Sequence, residues 1–397
     1  MTGEALVTHL AARGDGVTDD GRYVPNALPG DTLMGNAFIP GPHHVIPPCR
    51  HFHDCGGCQL QHADEEILAD FVRGRILGAL AGIDTKAIDV RRSHLSPPHS
   101  RRRASLRAEQ TASGLIFGFS REQSREIIDL DECFVLTASL FACLQGLKTA
   151  LAGLVPTNMV CSVIATETRT GFDIVINSLT LDRRGKADLA SWAKTSGVAR
   201  LSLQDEGGTD IIVQRAVPMV RFGGVDIELT PGAFLQATED GEAALLNAVE
   251  SSLAGASKAA DLFCGLGTFA LPMSGNMNVT GIDAAGPAVK ALERAARGAG
   301  RNVMVQHRDL FRRPLSVKEL DRFDALVLDP PRAGAKAQVE MIAASDVETV
   351  CYVSCNPNTF ARDARTLVGA GFQLVELWPV GQFRWSLHVE LAARFMR

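Results

Sequence analysis

The chain has 397 residues, of which 46% are hydrophobic and 21% are charged, a composition typical of a globular protein of two or three domains. The formal net charge of −5 argues against a surface that is basic throughout, although it leaves room for a local basic patch. No run of about 18 uncharged apolar residues occurs and the first residues lack a secretion pattern, so we expect a soluble, cytoplasmic protein without a membrane segment.

The first segment, residues 1–48, contains brief apolar stretches separated by strong turn sequences. Arg13-Gly-Asp-Gly16 and Leu28-Pro-Gly-Asp31 are such turns, because glycine and proline interrupt regular structure. We therefore predict a small β unit. Since fewer than fifty residues precede the first cysteine of the next segment, we expect this unit either to be incomplete or to share the core of the following domain.

Three closely spaced cysteines, Cys49, Cys55 and Cys58, form the first chemical motif. Their spacing around a Gly-Gly step indicates a metal site, and nine cysteines, an odd number, fit a reducing compartment better than a disulfide framework. Zinc would take a nearby histidine as fourth ligand, whereas an iron–sulfur cluster needs a fourth thiolate, and the spacing leaves both open. The candidate fourth ligands are His51, His53 and His62 for zinc and Cys133, which follows a polar turn, for the cluster, whereas Cys143 and Cys161 lie in apolar, core-like stretches.

Six arginines and no acidic residue occur between positions 91 and 107, namely Arg91, Arg92, Arg101, Arg102, Arg103 and Arg107. Such clustering is what phosphate contacts require, although a solvated charged face is the simpler alternative. The surrounding sequence alternates β-rich runs with helical ones, so we predict an α+β central domain over residues 49–228.

From residue 229 onward, strand-like apolar runs alternate with helical stretches, which predicts a doubly wound parallel sheet of Rossmann type over residues 229–397. The first strand leads into a glycine turn, Gly265-x-Gly267-x-x-Ala270, and Asp283 ends the next strand. A nicotinamide dehydrogenase and an adenosylmethionine methyltransferase both use a glycine turn with an acidic ribose clamp, so this motif alone does not decide between them.

Polar clusters further along the chain do discriminate between the dehydrogenase and the methyltransferase. Asp329-Pro-Pro-Arg332 and Ser354-Cys-Asn-Pro357 follow strand-like runs, and His388-Val-Glu390 ends a later segment, so all three are expected at strand ends of one sheet. Singly, Cys355 could be a core residue and Glu390 a surface carboxylate. Together with a methyl donor they fit methylation at C5 of a pyrimidine: the Cys355 thiolate adds to C6, which makes C5 nucleophilic, and Glu390 removes the C5 proton. Hydride transfer has no evident need for a thiol there.

With these motifs combined, the chain resembles the RNA uridine-5 methyltransferases, in particular the iron–sulfur branch that modifies 23S ribosomal RNA. The resemblance covers nearly the whole chain. Besides the cysteine motif with Cys133, it rests on Gly232-Ala-Phe-Leu-Gln236, Asp261-Leu-Phe-Cys-Gly-Leu-Gly267, Asp329-Pro-Pro-Arg-Ala-Gly334, Ser354-Cys-Asn-Pro-x-Thr-x-Ala-Arg-Asp363 and His388-Val-Glu390.

The resemblance implies Cys355 as nucleophile, Glu390 as base, and two bound groups. The implied S-adenosylmethionine site is lined by Gln236, Phe263, Thr268, Asp283, Asp309 and Asp329, and the implied structural [4Fe–4S] cluster is held by Cys49, Cys55, Cys58 and Cys133. A uridine of 23S ribosomal RNA would have to be flipped out of the folded RNA to reach the pocket. We expect a monomer that contacts RNA phosphates through the arginine cluster.

Three features differ from the family pattern. The N-terminal unit resembles the first part of the small RNA-binding β-barrel called TRAM but is shorter. Phe383-Arg-Trp-Ser-Leu-His388 stands where the family has Phe-Pro and a threonine, and Thr268 and Asp283 stand where asparagine and glutamate are common. Two alternatives stay open. The first is the same chemistry on transfer RNA, although the family members that act on transfer RNA lack the cysteine cluster. The second is an RNA-binding module with a vestigial catalytic domain.

Overall fold

The structure is a computed structural model that describes residues 4–35 and 37–397; positions 1–3 and 36, which belong to the predicted N-terminal unit, lie outside the described residues. The N-terminal unit is a small antiparallel sheet with strand order β3-β2-β1-β4-β5. Its strands are β1 (Ala5–Leu10), β2 (Gly16–Thr18), β3 (Tyr23–Val24), β4 (Thr32–Met34) and β5 (Ala37–Ile39). Its separate apolar core consists of a handful of side chains, among them Val7 and Leu33.

The segment after the three cysteines contributes helix α1 (Glu65–Ala79) and two short strands, β6 (Asp89–Val90) and β7 (His94–Leu95). Helix α1 starts at Asp64, whose Oδ1 accepts a hydrogen bond from the Ile67 N–H at 3.0 Å and so caps the first turn. Its buried face packs into the core of the catalytic sheet described below, and β6 and β7 pair with a strand of that sheet.

The central sheet has the strand order β13-β12-β11-β10-β8-β9 and is covered on one face by two helices. Its elements are β8 (Arg103–Thr111), β9 (Gly114–Gly118), α2 (Ala138–Leu151), β10 (Val160–Thr168), β11 (Gly171–Asn177), α3 (Arg183–Thr195), β12 (Val198–Asp205) and β13 (Gly208–Gln214). Alternating apolar residues of the strands meet α2 and α3, as in an α+β domain.

The catalytic sheet lies in the C-terminal part of the chain. The elements in this part are β14 (Met219–Phe222), β15 (Val225–Glu228), α4 (Glu239–Ser252), β16 (Lys258–Leu262), α5 (Ala270–Met273), β17 (Asn278–Asp283), α6 (Gly286–Gly298), β18 (Val303–His307), α7 (Val317–Leu320), β19 (Ala325–Leu328), α8 (Lys336–Ala343), β20 (Thr349–Ser354), α9 (Pro357–Gly369), β21 (Gln373–Gly381) and β22 (Glu390–Met396). The sheet order is β18-β17-β16-β19-β20-β22-β21-β6, with β7 also pairing with β21, and apolar cores lie on both of its faces. Within the described residues, none of the helices is long and apolar enough to span a bilayer.

The prediction of a purely parallel sheet is wrong in one respect, because β22 is antiparallel to both β20 and β21. A parallel connection needs a long crossover, whereas only the short loop 382–389 joins β21 to β22, so the two strands form a hairpin. The domain boundaries drawn at 48 and 228 stay predictions. However, α1, β6, β7 and the β14–β15 hairpin come from the predicted central segment and pack on, or pair with, the catalytic sheet.

Candidate active site and cysteine cavity

Both predicted catalytic residues and several of the predicted cofactor-binding residues lie along one edge of the catalytic sheet. The parallel strands β16, β17, β19 and β20 all end at this edge, so Phe263, Asp283, Asp329 and Cys355 lie side by side along it. Because β22 is antiparallel to β20, it begins where β20 ends, and this brings Glu390 to the same edge. The sequence placed Glu390 at the end of a segment; the structure places it at the start of β22.

Cys355 lies between the end of β20 and the start of α9, where the sequence predicted a thiol just beyond a strand. Asn356 caps the helix, its Oδ1 accepting a hydrogen bond from the Asn358 N–H at 3.1 Å, and Pro357 follows at the first helical position. The helix therefore begins directly after the half-buried thiol, and its N-terminal dipole favours a negative charge there.

Burial raises the pKa of the Cys355 thiol to about 11, and the neighbouring carboxylates Glu390 and Asp329 act in the same direction, whereas Arg332 opposes them. In the free protein the thiol is thus mostly protonated at neutral pH. A thiolate would form when positive charge enters this edge or when a neighbouring base accepts the proton.

Arg332 is held against the start of α9. Its backbone carbonyl accepts hydrogen bonds from Asn356 Nδ2 at 3.0 Å and from Thr359 Oγ1 at 3.1 Å. Its Nη2 donates to Nδ1 of His388 at 2.9 Å, which requires the imidazole to accept on that nitrogen. The arginine thus bridges the segment that carries Cys355 and the segment that carries Glu390.

A buried carboxylate fixes the rest of the Asp329–Ala335 loop. Asp363 is 1% exposed, and its Oδ2 accepts hydrogen bonds from the Ala335 N–H at 2.8 Å and from the Tyr352 hydroxyl at 2.7 Å. Because these groups belong to α9, the loop and β20, three elements are locked together below the site.

Glu390 is only 4% exposed, and burial raises the pKa of its carboxyl to about 8, with Asp329 raising it further and Gln382 and Arg332 lowering it. A carboxylate with a pKa close to neutral is well suited to take up a proton during a reaction and release it afterwards. The Glu390 carboxyl is one of the groups that raise the pKa of Cys355, so the predicted base lies near the predicted nucleophile.

Asp329 lies at the centre of a group of acidic and amide side chains. Burial raises its pKa to about 7, and the charge of Asp283 adds to the effect. Gln236 Nε2 lies 3.5 Å from Asp329 Oδ2, and its Oε1 accepts a hydrogen bond from Gln382 Nε2 at 2.7 Å. Gln382 was missed by sequence reasoning, because a glutamine in a short loop carries no recognisable motif.

Asp261 is a further buried carboxyl near this group, and sequence reasoning did not assign it a role. It is fully buried on β16, and burial raises its pKa well above the usual value, with Asp329 and Asp283 contributing in the same direction. Several carboxyl groups therefore share one edge without a matching number of basic side chains, an arrangement that attracts a cationic ligand.

The glycine turn after β16 has the geometry of a ligand cradle. Gly265 has φ +52° and no atom lies within 4 Å of the position a Cβ would take, whereas at Gly267 a Cβ would lie 2.5 Å from Leu292 Cδ1. Asp283 braces the turn, its Oδ2 accepting a hydrogen bond from the Gly265 N–H at 3.0 Å. Thr268 lies half-buried on the same turn.

Two aromatic rings flank this cradle. Phe263 has φ +67°, which is uncommon for a bulky residue and is held by the hydrogen bond from its N–H to the Ile282 carbonyl at 2.9 Å. Its ring lies 5.4 Å from that of Phe311, a half-exposed residue that sequence reasoning missed. Asp309 braces the loop that carries Phe311, since its Oδ1 accepts a hydrogen bond from the Phe311 N–H at 2.9 Å.

The four predicted cluster cysteines, Cys49, Cys55, Cys58 and Cys133, line one small cavity away from the catalytic edge, and none of them forms a disulfide. Polar contacts join the two chain segments that supply them. His51 Nε2 lies 2.7 Å from Asp131 Oδ1, and the Arg50 N–H donates to Glu132 Oε1 at 2.5 Å. These contacts bring Cys49 and Cys133 together although they are far apart in sequence.

The cavity is largely apolar, with Phe52, Phe119 and Phe134 among its lining residues and Arg101 as its cation. Burial raises the pKa of Cys49 to about 11 and that of Cys58 to about 12, so the thiolates would form only with a compensating positive charge. Over the described ranges 4–35 and 37–397, no group of three or more histidine, cysteine, aspartate or glutamate side chains is arranged to hold a metal ion. The donor set is nevertheless that of an all-thiolate centre.

The six arginines do not form one free phosphate-binding surface, which corrects the sequence-based expectation. Arg102 is buried and forms ion pairs with Glu239 at 3.0 Å and Glu242 at 2.7 Å. Arg101 donates its Nε–H to the Arg103 carbonyl at 2.8 Å, and Arg91 pairs with Glu376 at 2.5 Å. Sequence spacing could not show this, because the acidic partners come from distant parts of the chain.

The strand order, the glycine cradle and the acidic edge define the class of the protein: its catalytic domain has the Rossmann-like fold of methyltransferases that use S-adenosylmethionine. The family model described as tRNA (uracil-5-)-methyltransferase matches residues 230–396.

Relatives extend the match over the whole chain. An uncharacterized RNA methyltransferase of Zymomonas mobilis is 41% identical over 393 residues, covering 98% of this chain and 99% of that protein. The chain therefore belongs to the RNA (uracil-5-)-methyltransferase family. The 23S rRNA (uracil(1939)-C(5))-methyltransferase RlmD of Pectobacterium atrosepticum is 29% identical over 374 residues, which are 90% of this chain and 82% of that protein.

A solved structure supports the fold. The tRNA (uracil-54, C5)-methyltransferase of Pyrococcus abyssi, crystallised with S-adenosyl-L-homocysteine, superposes with a TM-score of 0.74 at 22% identity, covering 99% of this chain and 100% of that chain. The similarity thus includes the N-terminal unit and the central sheet as well as the catalytic domain.

Proposed function

We propose that this enzyme methylates C5 of a uridine in 23S ribosomal RNA through a covalent adduct between Cys355 and C6 of the base. The observation that carries the proposal is the meeting of a half-buried thiol with a buried carboxyl whose pKa is about 8, at the edge where the methyltransferase cradle opens.

The two residues have complementary tasks. The Cys355 sulfur forms a bond to C6, and the electron pair of the C5–C6 double bond moves toward C5, which can then take an electrophilic methyl group. Glu390 afterwards accepts the proton from C5, the C5–C6 double bond is restored, and the C6–S bond breaks to release the thiolate. Arg332, placed beside both groups, would favour the thiolate at the start and at the end.

The cradle and the acidic edge would hold S-adenosylmethionine, whose sulfonium supplies the electrophilic methyl group. Gln236, Thr268, Asp283 and Asp329 offer polar contacts, and Phe263 an aromatic face. Asp309 would act through the Phe311 loop that it braces. The uncompensated carboxyls Asp283 and Asp329 suit a cationic ligand, which supports adenosylmethionine over an anionic cofactor.

The cysteine cavity would hold a [4Fe–4S] cluster through Cys49, Cys55, Cys58 and Cys133. The support is the convergence of four free thiols, from two remote segments, on one apolar cavity. The cluster would supply a cross-link between these segments, since the cavity lies outside the catalytic edge. A brown protein with absorption in the visible blue after anaerobic purification is the expected result; a colourless protein with stoichiometric zinc would contradict it.

Ribosomal RNA is preferred as substrate because the RlmD enzyme of Pectobacterium atrosepticum, whose name specifies 23S rRNA, aligns over 90% of this chain. Transfer RNA is the second candidate, favoured by the whole-chain fold similarity to the Pyrococcus abyssi enzyme, whose name specifies tRNA uracil-54. In either RNA the target base must leave its stack to reach an edge recessed among loops.

The deciding experiment is a covalent trap. Ribosomal RNA containing 5-fluorouridine is incubated with the enzyme and S-adenosylmethionine, because fluorine at C5 cannot leave as a proton and the adduct should persist in denaturant. We expect an adduct with the native enzyme and with Cys351→Ala, which removes a buried thiol on β20, the strand that precedes Cys355, and none with Cys355→Ala.

Mapping the trapped RNA would identify the uridine. An adduct with transfer RNA but not with ribosomal RNA would promote the second candidate. If no RNA is trapped, the covalent mechanism is wrong.

A further inference from the structure

The loop that joins β21 to β22, residues 382–389, ends at the proposed base and is here called the base loop. It has no regular secondary structure, and it contains the segment that differs from the family pattern. Trp385 lies in it with φ +64°, a left-handed conformation that is strained for a bulky side chain, and is only 8% exposed. Such a conformation persists only where surrounding contacts enforce it.

The first enforcing contacts come from the cysteine segment. The Trp385 carbonyl accepts two backbone hydrogen bonds, from the Gln59 N–H at 2.7 Å and from the Leu60 N–H at 2.9 Å. These donors are the two residues that directly follow Cys58. The backbone at the cysteine cavity and the backbone of the base loop are therefore joined without an intervening side chain.

The second contact is made by Arg101. This side chain lines the cysteine cavity and also lies over two aromatic rings, at 5.1 Å from the centroid of Phe383 in the base loop and 5.8 Å from that of Phe119. Two hydrogen bonds hold Arg101 in place: its Nε–H donates to the Arg103 carbonyl at 2.8 Å, and its backbone N–H donates to the Val135 carbonyl at 3.0 Å. The Arg101 side chain is therefore held in place between the cavity and the base loop and contacts both.

The contacts continue to the reacting groups. The Phe383 ring meets the His388 imidazole edge-on at 5.9 Å, and Nδ1 of His388 accepts the hydrogen bond from Arg332 at 2.9 Å. Glu390 follows His388 after one residue. A shift of Phe383 would therefore displace the groups that surround the base, whereas Cys355 is fixed separately by the cap of α9.

We propose that Arg101 is a positioning residue through which the cysteine cavity holds the base loop in place for proton removal by Glu390. The proposal rests on the proposed function for the role of Glu390. It assigns a task to the cysteine region beyond joining two segments: keeping the base loop ordered. Loss of the contact between Arg101 and Phe383 should slow resolution of the adduct more than its formation, because formation depends on Cys355.

The test compares Arg101→Met with Arg397→Met. Arg397 is a matched control, since its guanidinium also lies over an aromatic ring, 4.3 Å from the centroid of Phe372, but it follows the end of β22 opposite to Glu390. Hydrogen exchange of the backbone amides of residues 383–388 is measured first, without RNA or cofactor. We expect faster exchange in Arg101→Met and unchanged exchange in Arg397→Met.

The second measurement follows the adduct with unmodified RNA and S-adenosylmethionine. In Arg101→Met the adduct should form at nearly the native rate but resolve about tenfold more slowly, a loss of about 1.4 kcal/mol of transition-state stabilisation. Arg101→Lys should restore part of the rate, because the charge remains while the planar group is lost. If Arg101→Met fails to fold, Phe383→Leu removes the other half of the same contact and should give the same pattern.

Native exchange in residues 383–388 of both Arg101→Met and Phe383→Leu would overturn the proposal, and so would equal slowing of adduct formation and resolution. If the native enzyme forms no adduct, the proposed function fails. The exchange measurement still decides whether Arg101 orders the loop, because it needs no chemistry.

Discussion

Cys355 at the catalytic edge and the cysteines of the cavity both have raised thiol pKa values, but they differ in what surrounds them. Burial raises the pKa of Cys355 to about 11, of Cys49 to about 11 and of Cys58 to about 12. Cys355, however, has a carboxyl and an arginine beside it at an edge where strands end, whereas Cys49 and Cys58 face other thiols and aromatic rings. A displaced thiol pKa therefore does not separate a nucleophile from a ligand; the neighbouring groups do.

The two regions also differ in how they bring together residues that are distant in sequence. At the catalytic edge, residues from separate strand ends meet because the sheet brings them there. At the cysteine cavity, polar side-chain contacts such as the His51–Asp131 pair help to hold the two segments. The catalytic edge should tolerate loss of one contact better than the cavity does, because a hydrogen-bonded sheet lies behind it.

The largest expected effect is at the base. Glu390→Gln keeps the shape of the side chain but cannot accept the C5 proton, so turnover should fall by about a thousandfold, within the range typical of a general base. The adduct with unmodified RNA should accumulate, which a gel in denaturant would show. Glu376→Gln, which alters a carboxylate on β21 outside the site, is the control and should leave turnover near the native level.

The second effect concerns the cavity. Cys58→Ser should lose most of the bound iron and reduce the free energy of unfolding by roughly 3–5 kcal/mol, since loss of a structural metal centre is among the costliest single changes. Iron analysis and denaturant unfolding measure both quantities. Cys161→Ala removes a buried cysteine that does not line the cavity and should retain the iron. Equal iron content in the two variants would contradict the cluster assignment.

The third effect concerns how the stability of the native protein depends on pH through Glu390. The pKa of Glu390 is raised from 4.5 to about 8, so the unfolded chain loses this proton at lower pH than the folded protein does. The folded protein therefore loses stability relative to the unfolded chain as pH rises from 4.5 to about 8, and the loss stays constant above that range.

Glu390→Gln lacks this group, so its Tm should exceed the native Tm by a margin that grows with pH across this window. Thermal unfolding at several pH values checks the trend. A margin that does not change with pH would show that Glu390 is not the source of the instability.

The smallest effects distinguish two glycines of the cradle. In Gly267→Ala the new methyl group would lie 2.5 Å from Leu292 Cδ1 and the backbone φ of +85° would also be strained, so we expect a loss of about 2 kcal/mol of stability with folded protein that still binds cofactor. In Gly265→Ala the methyl group would enter empty space, and the left-handed backbone costs only about 1 kcal/mol.

The added methyl group at Gly265 would nevertheless occupy the cradle, so the Kd for S-adenosylmethionine should rise by about tenfold, equivalent to 1.4 kcal/mol. Calorimetry of cofactor binding, together with denaturant unfolding, separates the two variants. If Gly265→Ala binds S-adenosylmethionine with native affinity, the cofactor does not lie against this turn.

Much of the site could be predicted from the sequence because its residues occur in local motifs. The strand, glycine turn and helix around Gly265 and the strand, thiol and Asn-Pro step around Cys355 each specify their own geometry within a few residues. The six arginines could not be interpreted in this way. Whether Arg102 meets phosphate or Glu242 depends on a residue that is distant in sequence, and the structure shows the latter.

By itself, the sequence determined the Rossmann-like domain, because periodicity and short motifs express local physical preferences. It also supplied the proposals of Cys355 and Glu390 for catalysis and, through the family resemblance, of four cysteines for a cluster. Only the tertiary structure decided the direction of β22, the buried setting that raises the pKa of Glu390, and the contact of Arg101 with the base loop. These features depend on which distant segments share a low-dielectric interior, and burial and charge coupling arise only when the chain has folded.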